Sequence, residues 1–161
     1  MSPPRDDWLS EALATRDLER VTPNMPAAGE RINDARRHVK SAQLLAEDDP
    51  TLAVAACHDA IRKAIAAHMA AASLRARAGE GAHRIVRDYA RHRLADIVTP
   101  DDLSEADDIR RDRALAEYGD FASRQLKPDH VRAAAEVAER IVNGIASALA
   151  GKSKGARTAR P

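Results

Sequence analysis

The segment 107–121 concentrates the side chains of this sequence that are best suited to bind a charged or aromatic ligand. Arg110, Arg111 and Arg113 are followed by Glu117 and Tyr118, and the segment contains two of the four aromatic residues in the chain. Guanidinium groups form forked hydrogen bonds to phosphates, and aromatic rings stack on bases. We therefore predict that a functional site would include this segment.

The other residues that could carry chemistry lack the spacing of a metal or triphosphate site. The six histidines contain no i, i+4 pair with a neighbouring acid. Cys57 and His58 are adjacent, so on a helix they would project about 100° apart. The Gly79–Gly81 turn lacks the lysine and hydroxyl residues of a P-loop, and both its flanking helices have core-facing patterns that disfavour a helix-turn-helix reader. We predict no metal and no cofactor.

Composition favours an all-α protein. Of 161 residues, 44% are hydrophobic, with alanine predominant, and only 2% are aromatic. This composition suits closely packed helices better than sheets, which need β-branched and aromatic residues. Cys57 is the single cysteine, which excludes an internal disulfide, and no signal segment opens the chain, so we expect a cytoplasmic protein. No apolar stretch approaches the roughly 18 residues of a membrane span.

The net charge of +1 conceals an uneven distribution. The segment 151–161 contains four basic residues and no acidic one, which leaves the rest of the chain slightly acidic. Because glycine and hydroxyl residues separate these charges, we predict a disordered basic tail. The tail is interpreted either as a solubilising end or as a tether to nucleic acid, and the first interpretation is the simpler one.

Apolar residues at helical spacing predict an up-and-down bundle of about five helices. Residues 1–26 form a leading helix, with apolar positions from Trp8 to Leu18, and a linker; residues 27–150 form the bundle. Its helices are predicted over about 27–46, from Pro50 to near Gly79 and Gly81, and over about 82–98, 103–116 and 128–149.

Local signals support two of the helix starts. Asp49–Pro50 and Thr99–Pro100 each place a capping side chain directly before a proline in the first turn. The helix over 82–98 also carries a basic stripe of Arg84, Arg87 and Arg91. This stripe is either a solvated face or a surface that holds an RNA backbone.

Four segments, taken in order, resemble the HEPN superfamily of small helical domains: AACHDAIRKA at 55–64, SLR at 73–75, GAHR at 81–84 and IRRDRALAEY at 109–118. The resemblance is to the bacterial branch of the family and covers about residues 27–149. It implies a bundle of four to five helices, frequent homodimers and links to RNA. It also implies pairing with small nucleotidyltransferases in toxin-antitoxin or defence modules.

The resemblance also bears on catalysis. Active ribonucleases of this superfamily use an arginine and, after four intervening residues, a histidine, without a metal. Here Arg113 takes the arginine position, Ala114 replaces the usual polar residue, and Tyr118 stands where the histidine should be. Because an unperturbed tyrosine has a pKa of about 10, it is a poor base at neutral pH. His130 lies beyond the break predicted at Gly119 and is no obvious substitute.

We therefore predict an RNA- or nucleotide-associated binding protein that lacks efficient ribonuclease activity. The predicted ligand-binding cleft has one side from the arginine-rich segment and the other from the helix predicted to begin at Pro50. Its residues are Arg110, Arg113, Glu117 and Tyr118, with Arg62 and His58 opposite.

Two other functions remain open from the sequence. The first is a metal-independent endoribonuclease in which a dimer brings two pairs of Arg113 and Tyr118 together. The second is a structural interaction bundle without a ligand. In that case Arg113 would simply pair with Glu117 at i, i+4. Tyr118 would be a core ring whose hydroxyl bonds His58 or Asp59.

Overall fold

The computed structural model describes residues 5–118 and 126–158, with side chains over 7–118 and 126–155. Within these ranges the chain forms six helices and two short strands, which confirms the predicted all-α bundle. In chain order they are α1 (Arg5–Ala14), β1 (Leu18–Arg20), α2 (Met25–Leu45), α3 (Pro50–Ala71), β2 (Leu74–Ala76), α4 (Ala82–Arg93), α5 (Pro100–Tyr118) and α6 (Pro128–Thr158). The break predicted at Gly119 lies outside the described residues.

The centre of the fold is the hairpin of α2 and α3. The predicted cap at Asp49 is confirmed, because its side chain accepts a hydrogen bond of 2.9 Å from the Leu52 amide at the start of α3. Asn24 caps α2 in the same way through the Ala27 amide. The buried face of α2 carries mostly small residues, which let the two helices approach closely: Ala28, Ile32, Ala35, Val39 and Ala42.

The helix α6 packs against both α2 and α3 and completes the core. The stripe predicted on this helix is buried, from Val131 through Ile141 to Ile145. The helix continues past Leu149, where we expected it to end, and runs to Thr158. The first part of the segment predicted as a disordered tail is therefore helical, and residues 159–161 lie outside the described range.

The helices α4 and α5 lie over the outer side of α3 and position the site described below. The Thr99 hydroxyl accepts a hydrogen bond of 3.1 Å from the Asp102 amide, so the predicted capped start of α5 is confirmed. Ile109 and Asp112 are buried, and Asp112 is the last buried residue of α5. Arg87 and Arg91 on α4 meet α5 at Asp107.

A short antiparallel ribbon joins the N-terminal segment to the end of α3. Leu18 pairs with Ala76 in this ribbon, and the Leu18 side chain is buried. The prediction that Leu18 continues the leading helix was wrong. Arg16 adopts a positive φ of 61°, which is incompatible with a right-handed helix.

The predicted end of α3 near Gly79 and Gly81 was also wrong. The helix ends at Ala71, and Ser73 takes a φ of 63° that turns the chain into β2. The two glycines instead shape the turn before α4, where both have positive φ. Gly81 is the N-cap of α4 and makes no side-chain cap.

Aromatic rings fasten α1 to the bundle. The ring of Trp8 stacks on His92 with a centroid distance of 4.9 Å and meets Tyr89 edge-on at 6.3 Å. The Tyr89 hydroxyl lies 2.8 Å from Nδ1 of His68, and both side chains are buried. The leading segment is thus packed onto the bundle through α4.

Candidate phosphate-binding cleft

A narrow cleft opens where α3, α4 and α5 meet. Its volume is about 60 Å³, which accommodates a few waters or one small anionic group, since one water needs about 10–15 Å³. The charged residues that line it are four arginines and one aspartate: Arg62, Arg87, Arg91, Arg110 and Asp107. The imidazoles of His58 and His83 complete its polar wall.

Helical spacing brings these side chains to one place. His58 and Arg62 are four residues apart on α3, as Arg87 and Arg91 are on α4, so each pair shares a face. Arg110 is on α5, three residues after an aspartate that also lines the cleft. Three different helices therefore contribute to one cationic surface.

Asp107 holds three of the arginines together. Its side chain is only 12% exposed, and it accepts a hydrogen bond from Arg91. Its Oδ1 lies 3.9 Å from Nε of Arg87 and 4.0 Å from Nε of Arg110. One carboxylate thus faces three guanidinium groups from two helices, and the cluster retains excess positive charge.

Four buried nitrogens around this cluster have no hydrogen-bond partner among the described residues. They are Nδ1 of His58 and the Nε atoms of Arg87, Arg110 and Arg113. A buried polar group without a partner costs about 1–3 kcal/mol, and more when it is charged. Two of them, Nε of Arg87 and Nε of Arg110, face the carboxylate of Asp107 just beyond hydrogen-bond distance.

His58 is held neutral by its surroundings. Burial and, to a lesser extent, the positive charge of Arg113 together lower the pKa of this histidine to about 4. The ring lies 3.7 Å from Asp59, which acts in the opposite direction but does not outweigh burial. At neutral pH the ring therefore has one donor and one acceptor nitrogen, and it adds no positive charge to the cleft.

The structure brings together three of the six predicted ligand-binding residues in this cleft: His58, Arg62 and Arg110. Arg113 lies beside them, close enough to influence His58 electrostatically. Its guanidinium is also 3.6 Å from Glu117, in the i, i+4 ion pair that we considered as an alternative. Glu117 itself does not line the cleft.

Tyr118 is placed differently from the prediction of a core ring. It is 81% exposed at the end of α5 and does not line the cleft. Residues five apart on a helix project about 140° from each other, so Tyr118 and Arg113 lie on different faces of α5. Within one chain, the side chains of Arg113 and Tyr118, predicted as a catalytic pair, therefore do not point to a common site.

Sequence reasoning missed Asp107 as a site residue and left Arg87 and Arg91 as a stripe of unknown role. The available signal was the spacing of the two arginines, which places them on one face of α4. Nothing in the sequence indicated that this face would meet α5. His130, which we judged an unlikely substitute base, lies 2.6 Å from Oδ2 of the buried Asp112 and does not line the cleft.

Across 5–118 and 126–158, no helix combines the length and apolar character needed to cross a bilayer. Within the same ranges, no three side chains of histidine, cysteine, aspartate or glutamate are grouped so that they could hold a metal ion.

Comparison with known proteins identifies the family. The family model described as "HEPN domain" matches residues 28–147, a range that contains most of α2, all of α3 to α5 and most of α6. Neither the curated proteins nor the solved structures gave a match. The matched range includes every residue of the cleft and about three quarters of the chain. This helical chain, with an arginine-rich cleft between three of its helices, belongs to the HEPN domain family.

Proposed function

We propose that this protein binds phosphate groups of RNA or nucleotides in the cleft between α3, α4 and α5, as a component of a toxin-antitoxin or defence module. The observation that carries the proposal is the convergence of four arginines from three helices on one narrow cleft. Membership of the HEPN family adds a general link to RNA-related or nuclease-like functions.

The charge and size of the cleft support a phosphate as the bound group. Four arginines and one aspartate line the cleft, and Arg62 and Arg91 also lie 3.7 and 4.0 Å from carboxylates outside it, so the net charge of these side chains stays positive. Arginine suits phosphate because its planar fork donates two parallel hydrogen bonds. A volume of about 60 Å³ admits a single phosphate but excludes a nucleoside. We therefore expect only the phosphate group of the ligand to enter this cleft, with the rest of the molecule outside it.

We further propose that binding proceeds without efficient cleavage. General base catalysis works best when the base has a pKa near the working pH. His58 has a pKa of about 4, and Tyr118 lies outside the cleft. Neither His58 nor Tyr118 therefore provides the cleft with a base matched to neutral pH, whereas the arginines that line it can stabilise negative charge.

Partner binding belongs to the same proposal. HEPN domains often dimerise, and we expect a homodimer, with a nucleotidyltransferase as the further partner. The end of α5 offers two exposed apolar side chains, Leu115 and Tyr118, next to the ion pair of Arg113 with Glu117. We propose that a partner covers this end of the helix.

The test compares RNA binding by the wild type, Arg110→Ala and the matched control Arg132→Ala. The two arginines are 42% and 44% exposed, and Arg132 is on α6 outside the cleft. We expect Arg110→Ala to weaken binding of a labelled single-stranded RNA about tenfold. The slope of the logarithm of affinity against the logarithm of salt concentration should become less steep by about one. The control should bind like the wild type.

Equal binding by Arg110→Ala and Arg132→Ala would reject the cleft as the RNA site. Circular dichroism and thermal melts of each variant would establish that the helices are intact. The absence of RNA binding by all three proteins, combined with unchanged partner affinity, would favour the structural interaction bundle.

The second candidate is a metal-independent endoribonuclease. One observation favours it: Arg113 lies beside the neutral ring of His58, whose Nδ1 has no hydrogen-bond partner among the described residues. Arginine could stabilise the charge that develops on the phosphorus, and the ring could accept a proton. Cleavage of total RNA in chelator by the wild type, abolished in a folded Arg113→Ala variant, would establish this activity over simple binding.

A further inference from the structure

A second and larger cleft lies beside the cleft between α3, α4 and α5. It has a volume of about 420 Å³ and is bounded by the start of α2, by α3, by the β-ribbon and by α4. This volume is within the range of about 300–1,000 Å³ that is typical of small-molecule sites. We call it the ribbon cleft.

The ribbon cleft has an apolar floor and a basic rim. Met69, Leu74 and Val86 contribute to the floor, and Arg31 and Arg75 to the rim. None of its lining residues is acidic. Arg75 is paired with a carboxylate outside the cleft at 2.6 Å, whereas Arg31 is exposed and has no ion pair with any described residue.

The two clefts adjoin. Arg62, His83 and Val86 line both of them. The Arg62 side chain therefore lies between the narrow cationic cleft and the wide apolar one. Because Arg62 and Ala66 are four residues apart on α3, the same face of that helix forms the floor on both sides of the boundary.

This juxtaposition matches the chemistry of a nucleotide. A nucleotide joins a compact anion to a flat, largely apolar base through a sugar. A phosphate fits the narrow cleft, which excludes a nucleoside, and a base and ribose fit the adjoining volume. The basic rim can donate hydrogen bonds to the ribose or to acceptors on the base edge.

We infer that the ribbon cleft holds the nucleoside attached to the phosphate bound beside Arg62, so that the two clefts form one nucleotide site. This inference rests on the proposed function and adds a base-binding compartment to it. The ligand is a ribonucleotide unit, either free or within an RNA strand.

The experiment measures the affinity of inorganic phosphate and of the four ribonucleoside 5′-monophosphates at one ionic strength. We expect at least one nucleotide to bind about tenfold more tightly than phosphate, because the base buries apolar surface. In Ala66→Phe the new ring should fill the ribbon cleft and remove this advantage without weakening phosphate binding. The matched control is Ala133→Phe, at an exposed position on α6.

Arg31→Ala provides a second variant that leaves the core intact, since this side chain is exposed on the rim. We expect it to weaken nucleotide binding about threefold or more, as for one lost hydrogen bond, and to leave phosphate binding unchanged. It keeps the inference testable if Ala66→Phe does not fold. Competition by the dinucleotide ApA distinguishes a free nucleotide from a nucleotide unit within an RNA strand, because the strand presents its phosphate as a phosphodiester.

The outcomes distinguish the two proposals. If phosphate binds and no nucleotide binds more tightly, the ribbon cleft is not a nucleoside site, and the phosphate site stands. An advantage for nucleotides that survives both Ala66→Phe and Arg31→Ala would likewise place the base elsewhere and overturn the inference. If neither phosphate nor any nucleotide binds, both the proposed function and this inference fail.

Discussion

Acidification should destabilise this fold because two histidines are buried in their neutral form. Burial lowers the pKa of His58 and of His68 from 6.5 to about 4. In the unfolded chain both rings would titrate near the ordinary value. Between pH 6.5 and 4 the unfolded state therefore binds more protons than the folded state. The stability linked to these rings is present above pH 6.5 and is lost as pH falls toward 4.

The size of the effect follows from the same values. For one ring with these two pKa values, lowering the pH from 7 to 5 reduces the free energy of unfolding by about 2 kcal/mol. The two rings lie in different parts of the bundle, so their effects should add to about 3–4 kcal/mol. This is a large fraction of the 5–15 kcal/mol that is typical of a small protein.

Urea unfolding at pH 7 and at pH 5, followed by circular dichroism, measures this loss. His58→Gln and His68→Gln should each remove about half of the pH dependence, because glutamine does not titrate. The exposed residue His83 provides the control, since His83→Gln should keep the whole effect. Titration of carboxylates is common to all variants and cancels in the comparison.

The reasoning is refuted if wild-type stability changes by less than about 1 kcal/mol between pH 7 and 5. It is also refuted if both glutamine variants retain the full pH dependence. In either case the two histidines would not be the buried neutral groups that the structure describes.

Three further predictions concern the core and the helix α6. Tyr89→Phe should lower the free energy of unfolding in urea by about 1–3 kcal/mol, because its buried histidine partner loses a hydrogen bond of 2.8 Å. Gly144→Ala should lower the free energy of unfolding by about 1 kcal/mol, since its Cβ would lie 3.1 Å from the carbonyl oxygen of Ile97. The control Gly151→Ala meets open space and should raise the free energy of unfolding by about 0.5–1 kcal/mol. Equal shifts in melting temperature for the two variants would contradict this prediction. Burial raises the pKa of the Cys57 thiol to about 12, so a thiol reagent at pH 8 should modify it only as fast as the protein unfolds, and rapid labelling of the native protein would count against this.

The helices were predictable because their determinants are local. Apolar residues at helical spacing identify the buried stripes of α2, α3 and α6, and the capping side chains of Asp49 and Thr99 mark two helix starts. The ribbon was not predictable by this reasoning, because strands of three residues have too little periodicity to be recognised. Its flanking turns also use Arg16 and Ser73 at positive φ, where glycine is the usual signal.

The cleft was only half predictable for a related reason. His58, Arg62 and Arg110 belong to the segments that resemble the family, and all three line this cleft. Asp107 and the basic face of α4 join them only through the packing of α4 against α5, which no local pattern encodes. The exposure of Tyr118 was missed because the sequence does not show that the last turn of α5 extends beyond the buried part of the helix, whose last buried residue is Asp112.

The ribbon imposes an order on synthesis at the ribosome. Glu19 in β1 and Arg75 in β2 are 56 residues apart, so the first strand leaves the ribosome long before its partner exists. At about 5–20 residues per second, the delay is roughly 3–11 s. During this time the hairpin of α2 and α3 can form from neighbouring residues alone. The nascent strand β1 must meanwhile remain without its partner strand until β2 has been synthesised.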